Sequence, residues 1–278
     1  MNQYSDNEIA FFKQLLLDFD VRVDGRNKRE IRKYGIEHNV INNCFSSLKI
    51  VYNNSKNEMI FTIKGELVKE NKDENNKEEN NKENEPKIIL NIDSMSMTNR
   101  GSSSEEYKNI KNKIESLINK LMISKIPTDS LIISKNEPKL YWKLYLDVFI
   151  FDDLRITLFQ LISIGIKNTL LNVKVPKMII FKNEIDDKFE YDLRKNYEDL
   201  TIEDSEEKIN FEVPNIYVFS IINNSLYLDP CDEELIITPS NLYVSEYNKK
   251  VFNIESIGDS VDPILYSQIT DIIQNINC

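Results

Sequence analysis

The scarcities in this sequence narrow it first. One histidine, three cysteines and six glycines are spread over 278 residues. A single imidazole rules out two-histidine metal sites, and a serine- or cysteine-nucleophile mechanism would have to use His38. That residue lies in the polar run Glu37-His38-Asn39 and reads as ordinary surface. Cys44, Cys231 and Cys278 are odd in number, far apart and form no CxxC pair, which speaks against a disulfide framework and a structural zinc site. The few glycines form neither a P-loop nor a dinucleotide motif. No apolar run reaches the roughly 18 residues that cross a bilayer. Met1 to Asp6 has neither the basic nor the apolar region of a signal peptide, so an intracellular protein is expected. An excess of positive charge is missing too: the net charge is −11 and the pI about 4.9. No broad basic face can coat duplex nucleic acid, and any RNA contact must come from a local patch or a pore shared with neighbours.

What is present reads as a globular chain long enough to bury a sizeable core. Ser5 and Glu8 stand in capping-box spacing before Ile9, Phe12, Leu15, Leu16 and Phe19, which predicts an amphipathic helix over Ser5–Phe19. The segment from Val21 to Gly35 is the densest basic stretch, with Arg22, Arg26, Lys28, Arg29, Arg32 and Lys33 against Asp24 and Glu30. Strands are expected at Phe45–Tyr52, Met59–Leu67 and Lys87–Asp93, the first two joined by a polar hairpin connection. Residues 69–85 are all Asn, Glu, Lys or Asp and are expected to be a disordered insert, having no apolar group to offset the entropy of ordering.

Ser103 and Glu106 form a second capping box ahead of Ile110, Ile114, Leu117, Ile118 and Leu121. Leu140 to Phe151 alternates strictly on one side and is half apolar on the other, so a central strand covered on both faces is expected. Leu158 to Leu171 reads as a buried helix ended by Lys174-Val175-Pro176. Asn183 to Lys208 reads as a loop. Strands follow at Ile209–Ile222, Leu226–Asp229, Glu234–Val244 and Val251–Glu255, then a last helix capped by Asp262 with Pro263 at its first position. Strands outnumber helices without strict alternation. The fold class is α+β, mixed sheets packed on helices, in one domain of two pseudo-similar lobes, residues 20–180 and 181–278.

The order of these features carries a resemblance. Arg22-Val23-Asp24-Gly25-Arg26 with Glu30 and Arg32, the Asn99-Arg100-Gly101 turn, the strand Tyr141 to Val148, Leu158-Phe159 running into Ile162 to Leu170, and Leu228-Asp229-Pro230 with Glu233-Glu234 are similar to the RNase PH-like ring subunits of the eukaryotic and archaeal exosome, over nearly the whole chain. The Asp-Pro-x-x-x-Glu run resembles the non-catalytic branch of that family.

The resemblance implies an RNase PH-like (ribosomal protein S5 domain 2-like) fold. It implies a hetero-hexameric ring with other RNase PH-like subunits, cap subunits bearing S1/KH domains, a separate associated nuclease, and single-stranded RNA threaded through. It also implies residence in nucleus, nucleolus and cytoplasm, with no membrane, cofactor or metal. Arg22, Arg26 and Arg100 are the candidates for RNA or subunit contact. Active relatives present a Gly-Thr-Arg type loop to phosphate; here that stretch has no glycine and begins with Asp152 and Asp153, with Thr157 near the expected arginine. The catalytic acid's place, after Glu233-Glu234, reads as Leu235. Asp152, Asp153, Thr157 and Leu235 are therefore expected to mark a degenerate site without phosphorolysis. Mg²⁺ on Asp152-Asp153 or Asp186-Asp187 is disfavoured, since adjacent carboxylates on a strand face opposite ways.

Overall fold

The first helix begins where its cap places it. In the computed structural model, which describes residues 4–70, 87–95, 104–134, 139–182, 189–193 and 206–275, α1 spans Asp6–Leu17. The Glu8 N–H donates to Ser5 Oγ, and the Ser5 N–H donates to Glu8 Oε2 at 2.7 Å. Two otherwise orphaned donors are satisfied reciprocally. The anticipated apolar stripe packs only in part: Leu16 is buried, while Phe19 lies past the helix end and is 62% exposed.

The chain then lays down β1 (Tyr34–His38), β2 (Ser46–Tyr52), β3 (Asn57–Glu70), β4 (Ile88–Ser94), α2 (Ser104–Leu121), β5 (Ile132–Ser134) and β6 (Lys139–Ile150). They make one sheet in the order β1-β2-β3-β6-β4, with β5 also pairing β6. All pairs are antiparallel except β4 with β6. β1 was not anticipated: its residues fell in stretches that read as basic and polar, and its partner β2 supplies the order. The β2–β3 turn is as expected, with Asn53, Asn54 and Ser55 in the left-handed region. β3 runs on through Lys69 to Glu70, opposite Lys139, so the insert does not begin at Lys69. The rest of it, residues 71–85, lies outside the described residues, as does the Ser103 cap.

On β6, Leu140, Trp142, Leu144, Leu146, Val148 and Ile150 are all buried. The opposite face is not covered as expected: Tyr141 is buried, but Lys143, Tyr145, Asp147 and Phe149 are half-buried. The cause is that α2 and α3 (Phe159–Leu170) serve the same face. Ile114 and Ile118 of the one and Ile162 and Ile166 of the other share a core with Leu48, Phe61, Ile92, Leu146 and Val148. The close approach of α3 depends on Gly165, where an added Cβ would stand 2.1 Å from the ring tip of Phe61.

After α3 come β7 (Lys174–Pro176), β8 (Met178–Lys182), β9 (Phe189–Leu193) and β10 (Glu206–Lys208). β8 pairs β9 and β7 pairs β10, so the acidic stretch read as a loop contributes two short strands. β11 (Asn215–Ile222), β12 (Ser225–Leu228), α4 (Asp232–Ile237), β13 (Ser240–Tyr247), β14 (Lys250–Gly258) and α5 (Pro263–Asn275) complete the fold. Their sheet has the order β12-β11-β13-β14. The strand expected at 209–222 starts only at Asn215, after Pro214, which has no N–H for a ladder. The stretch 234–237, expected as strand, is helical. Asp232, Glu233 and Glu234 fill its first turn, where the helix dipole favours negative charge. α5 is capped as expected, the Ile264 N–H donating to Asp262 Oδ1 at 2.9 Å.

β11 is buried on both faces. Ile216 and Val218 join the large core, whereas Tyr217, Phe219 and Ile221 pack against Leu265, Ile269, Ile272 and Ile273 of α5. α3 also reaches β11 with a side chain. Gln160 Nε2 donates to the Ile216 carbonyl at 2.8 Å, and Gln160 Oε1 accepts from the Val218 N–H at 2.9 Å. A buried amide thereby takes the place of a neighbouring strand.

Candidate functional site

The basic segment after α1 folds back onto the β12–α4 junction and ties itself there by ion pairs. Arg22, 3% exposed, forms a two-pronged bond to the buried Glu234, both distances 2.7 Å. Its remaining donors go to carbonyls of Asn27, Glu30, Leu228 and Asp229. Burial works against its charge, but the hydrogen bond and charge of Glu234, with Asp24 behind, more than restore it and hold the guanidinium above its ordinary range. Asp229, fully buried, receives Arg26 Nη1 at 3.0 Å and Arg32 through Nε and Nη2, the latter at 2.7 Å. Its backbone sits at φ 52°, a conformation costly for a residue with a Cβ and held here by these bonds. Arg26 Nε also bonds Asp24 at 2.6 Å.

This knot forms one wall of a cavity of about 500 Å³. Facing it are Tyr52, Asn53 and Asn54 at the β2–β3 turn, Asp152, Arg155 and Thr157 ahead of α3, and Cys231 and Asp232. Arg155 Nη1 meets Asp232 at 2.5 Å and Nη2 meets Asp152 at 3.3 Å. Thr157 Oγ1 donates to the other Asp232 oxygen at 2.7 Å, and Asp152 also accepts from Asn57 Nδ2. The Tyr52 hydroxyl is buried and, among the described residues, has no hydrogen-bond partner. Burial and then the charge of Asp152 push its pKa up, with Arg155 and Arg32 pulling back. The Cys231 thiol is likewise pushed up, by burial first and then by Glu234, so it stays protonated and is a poor nucleophile.

The structure separates the residues singled out in the sequence. Arg26, Asp152 and Thr157 reach this cavity; Asp153 and Leu235 do not line it. Arg22 does not fit the role of an exposed RNA or subunit contact, because its guanidinium is buried and saturated with partners. Arg100 lies outside the described residues, as do Asp186 and Asp187. His38 is exposed on β1, as expected. Arg155, set aside in the sequence because Thr157 stands nearer the expected arginine position, lines the cavity with Thr157. Asp232 and Tyr52 were missed as site members, and only the Asp-Pro-x-x-x-Glu run signalled that the region of Asp232 mattered. Among the described residues there is no group of three or more His, Cys, Asp or Glu side chains placed to hold a metal ion, and no helix is long and apolar enough to cross a membrane.

No protein-family model and no curated protein matches the chain. Solved structures do. An archaeal exosome core aligns over 97% of this chain and 93% of its own, with TM-score 0.63 and 18% identity. The Archaeoglobus fulgidus exosome with RNA bound to the active site aligns over 97% and 94%, with TM-score 0.66 and 18% identity. Rrp46 of rice (Oryza sativa) aligns over 91% and 98%, with TM-score 0.51 and 11% identity. The likeness is one of fold: the α+β architecture is that of the RNase PH-like exosome core.

Proposed function

We propose that this chain, built on the exosome-core fold, is a structural subunit of an RNase PH-like ring that passes single-stranded RNA, and that it carries out no phosphorolysis itself. The ring half of the reading is supported by similarity that spans nearly all of this chain and of its structural neighbours. The silent half is carried by one observation. The guanidinium of Arg155 and the hydroxyl of Thr157, in the stretch ahead of α3, are both engaged by Asp232, with Asp152 on the other side of Arg155. A phosphate entering there would have to displace one carboxylate and sit beside another.

The finer reading places the chain in the non-catalytic branch. The Ser5-capped first helix, Val23 within Arg22 to Arg26, and Leu158-Phe159 most resemble ribosomal-RNA-processing protein forty-two. The partners are then other RNase PH-like ring subunits, S1/KH cap subunits and a separate nuclease, in nucleus, nucleolus and cytoplasm. Co-expression with such subunits and weighing of the intact assembly tests this directly; a chain that stays monomeric beside them removes the ring reading.

Purified protein given single-stranded RNA and inorganic phosphate should release no nucleoside diphosphates, with or without Mg²⁺. Thr157→Arg alone should not restore release, because groups that act as a unit are not rescued singly. A second reading, an active phosphate-dependent exoribonuclease, is favoured by the Asp232 carboxylate standing in the cavity beside Arg155. Phosphate-dependent release abolished by Asp232→Asn would establish that reading in place of the first.

A further inference from the structure

The outer strands of the two large sheets are not finished alike. β4 ends its sheet against α2, whose side chains take its outward amides: the Ile92 N–H donates to Glu115 Oε1 at 3.0 Å and the Ser94 N–H to the Tyr107 hydroxyl at 3.1 Å. β12 is closed by the basic segment, its Leu228 N–H donating to the Lys28 carbonyl at 2.7 Å. β14 is bulged. Ser245 lies opposite Asn253 and Glu246 opposite Val251, so Phe252 has no match, and a bulge spoils an edge as a template for pairing. β1 has none of these devices and pairs with β2 alone. The Asn39 N–H donates to the Ser47 carbonyl at 2.9 Å, in register with the ladder. The odd positions therefore turn towards β2, and Ile36 and His38 turn their N–H and C=O groups outward. Among the described residues nothing meets those groups.

The same strand overhangs a groove. Ile36 lies opposite Ile50, which is buried in the core that α3 shares, so its side chain points to the helix-bearing face. There a cavity of about 520 Å³ runs between β1, the outer flank of α3 and the start of β11. Ile31, Ile36, Ile164 and Leu171 line it and are only half-buried. At its rim the Lys167 ammonium is met by the neutral side-chain carbonyl of Asn215. We propose that β1 is a docking edge for an extended segment of a partner protein, which adds as one more strand, sets apolar side chains at alternate positions into the groove and brings a carboxylate to Lys167. Main-chain bonds along an open edge supply affinity, and the groove reads every second side chain. The unmet groups are amide donors and acceptors at strand spacing, which a nucleic-acid backbone cannot match. The inference uses neither the cavity ahead of α3 nor any RNA, so it stands or falls apart from the ring reading.

The test selects peptides of about nine residues, the length of a long strand, from a random displayed library on the full chain. Selected peptides should alternate apolar and polar residues and carry Asp or Glu beside the apolar run. One of them, labelled with fluorescein and followed by anisotropy, should bind about tenfold more weakly when one alternate set of its amides is N-methylated. Methylating the other set should have little effect, because only one set faces β1. His38→Pro deletes an outward N–H where an edge tolerates proline and should weaken binding severalfold. Ile164→Asp puts a charge into the groove and should abolish binding, and Lys167→Glu should reverse the preference for an acidic peptide. Phe252→Ser, on the bulged edge, should change nothing. Where a variant fails to fold, the two methylated peptides on the wild-type chain decide. Failure to select any peptide, equal effects of the two methylated sets, or binding that survives both His38→Pro and Ile164→Asp would overturn the proposal. So would dimerisation of the chain that His38→Pro abolishes, since the occupant would then be a second copy.

Discussion

Arg22 and Arg29 lie seven positions apart in one basic segment, yet one is sealed in the protein and the other stands in water. The difference comes from what each meets. Arg22 finds Glu234, 212 residues away in sequence, together with four backbone carbonyls. No carboxylate among the described residues approaches Arg29. Charge density along a sequence therefore says where cations gather and nothing about which of them are consumed. Here the inner cations hold the N-terminal segment onto the β12–α4 junction, and the outer ones, Arg29 and Lys33, stay exposed to solvent.

The largest effect should come from the inner pair. Arg22→Leu strands Glu234 in the interior and should cost about 3–5 kcal/mol in chemical denaturation. A loss under about 1 kcal/mol would mean that the knot contributes little to stability. The Arg22→Leu/Glu234→Leu double variant should recover much of the loss, since replacing a whole buried pair by apolar groups is often near neutral.

The second effect is a pH dependence at the rim of the knot. Burial raises the pKa of Asp24, but the hydrogen bond and charge of Arg26, with Arg22 behind, outweigh it and leave the carboxyl below its ordinary value. A folded-state pKa below the unfolded one gives stability that is complete above about pH 4 and is lost as the pH falls towards the folded value. Asp24→Asn should therefore flatten the denaturation midpoint against pH in the acid range and leave the shape of the curve near pH 7 unchanged. Parallel wild-type and variant curves down to pH 3 would refute it.

Smaller still is the pair at the cavity mouth. Arg155 is 39% and Asp232 26% exposed, so solvent screens them, and a double-mutant cycle should give a coupling of about 1 kcal/mol or less. Arg29→Ala and Lys33→Ala should be the mildest, each within about 0.5 kcal/mol of wild type. A larger loss from either would erase the distinction between inner and outer cations.

Local signals carried much of the fold. The caps at Ser5 and Asp262, the alternation along β6 and the apolar run of α3 are all set by neighbours in sequence, and each element formed where its pattern lies. What was not legible depends on distant partners. β1 carries no pattern of its own and exists because β2 offers it a ladder. α4 was masked by apolar residues that also suit a strand, while its acidic first turn gave the competing signal. The cavity was the least readable part: Asp232 matters because Arg155 and Thr157, more than seventy residues earlier, converge on it. Of the stretch read as a phosphate loop spoiled by carboxylates, Asp152 and Thr157 line the cavity and Asp153 does not; Leu235, read separately at the acid's place, lies in α4 and does not line the cavity either.

The amide of Gln160 has a consequence for how the molecule opens. The Val218 N–H is satisfied by that side chain rather than by a strand, so its exchange with heavy water is governed by the parting of α3 from β11. It should respond to Gln160→Leu while the Phe219 and Tyr217 amides hold. A single proton thus serves as a gauge of when the helix lets go of the sheet, readable in the intact protein without unfolding it.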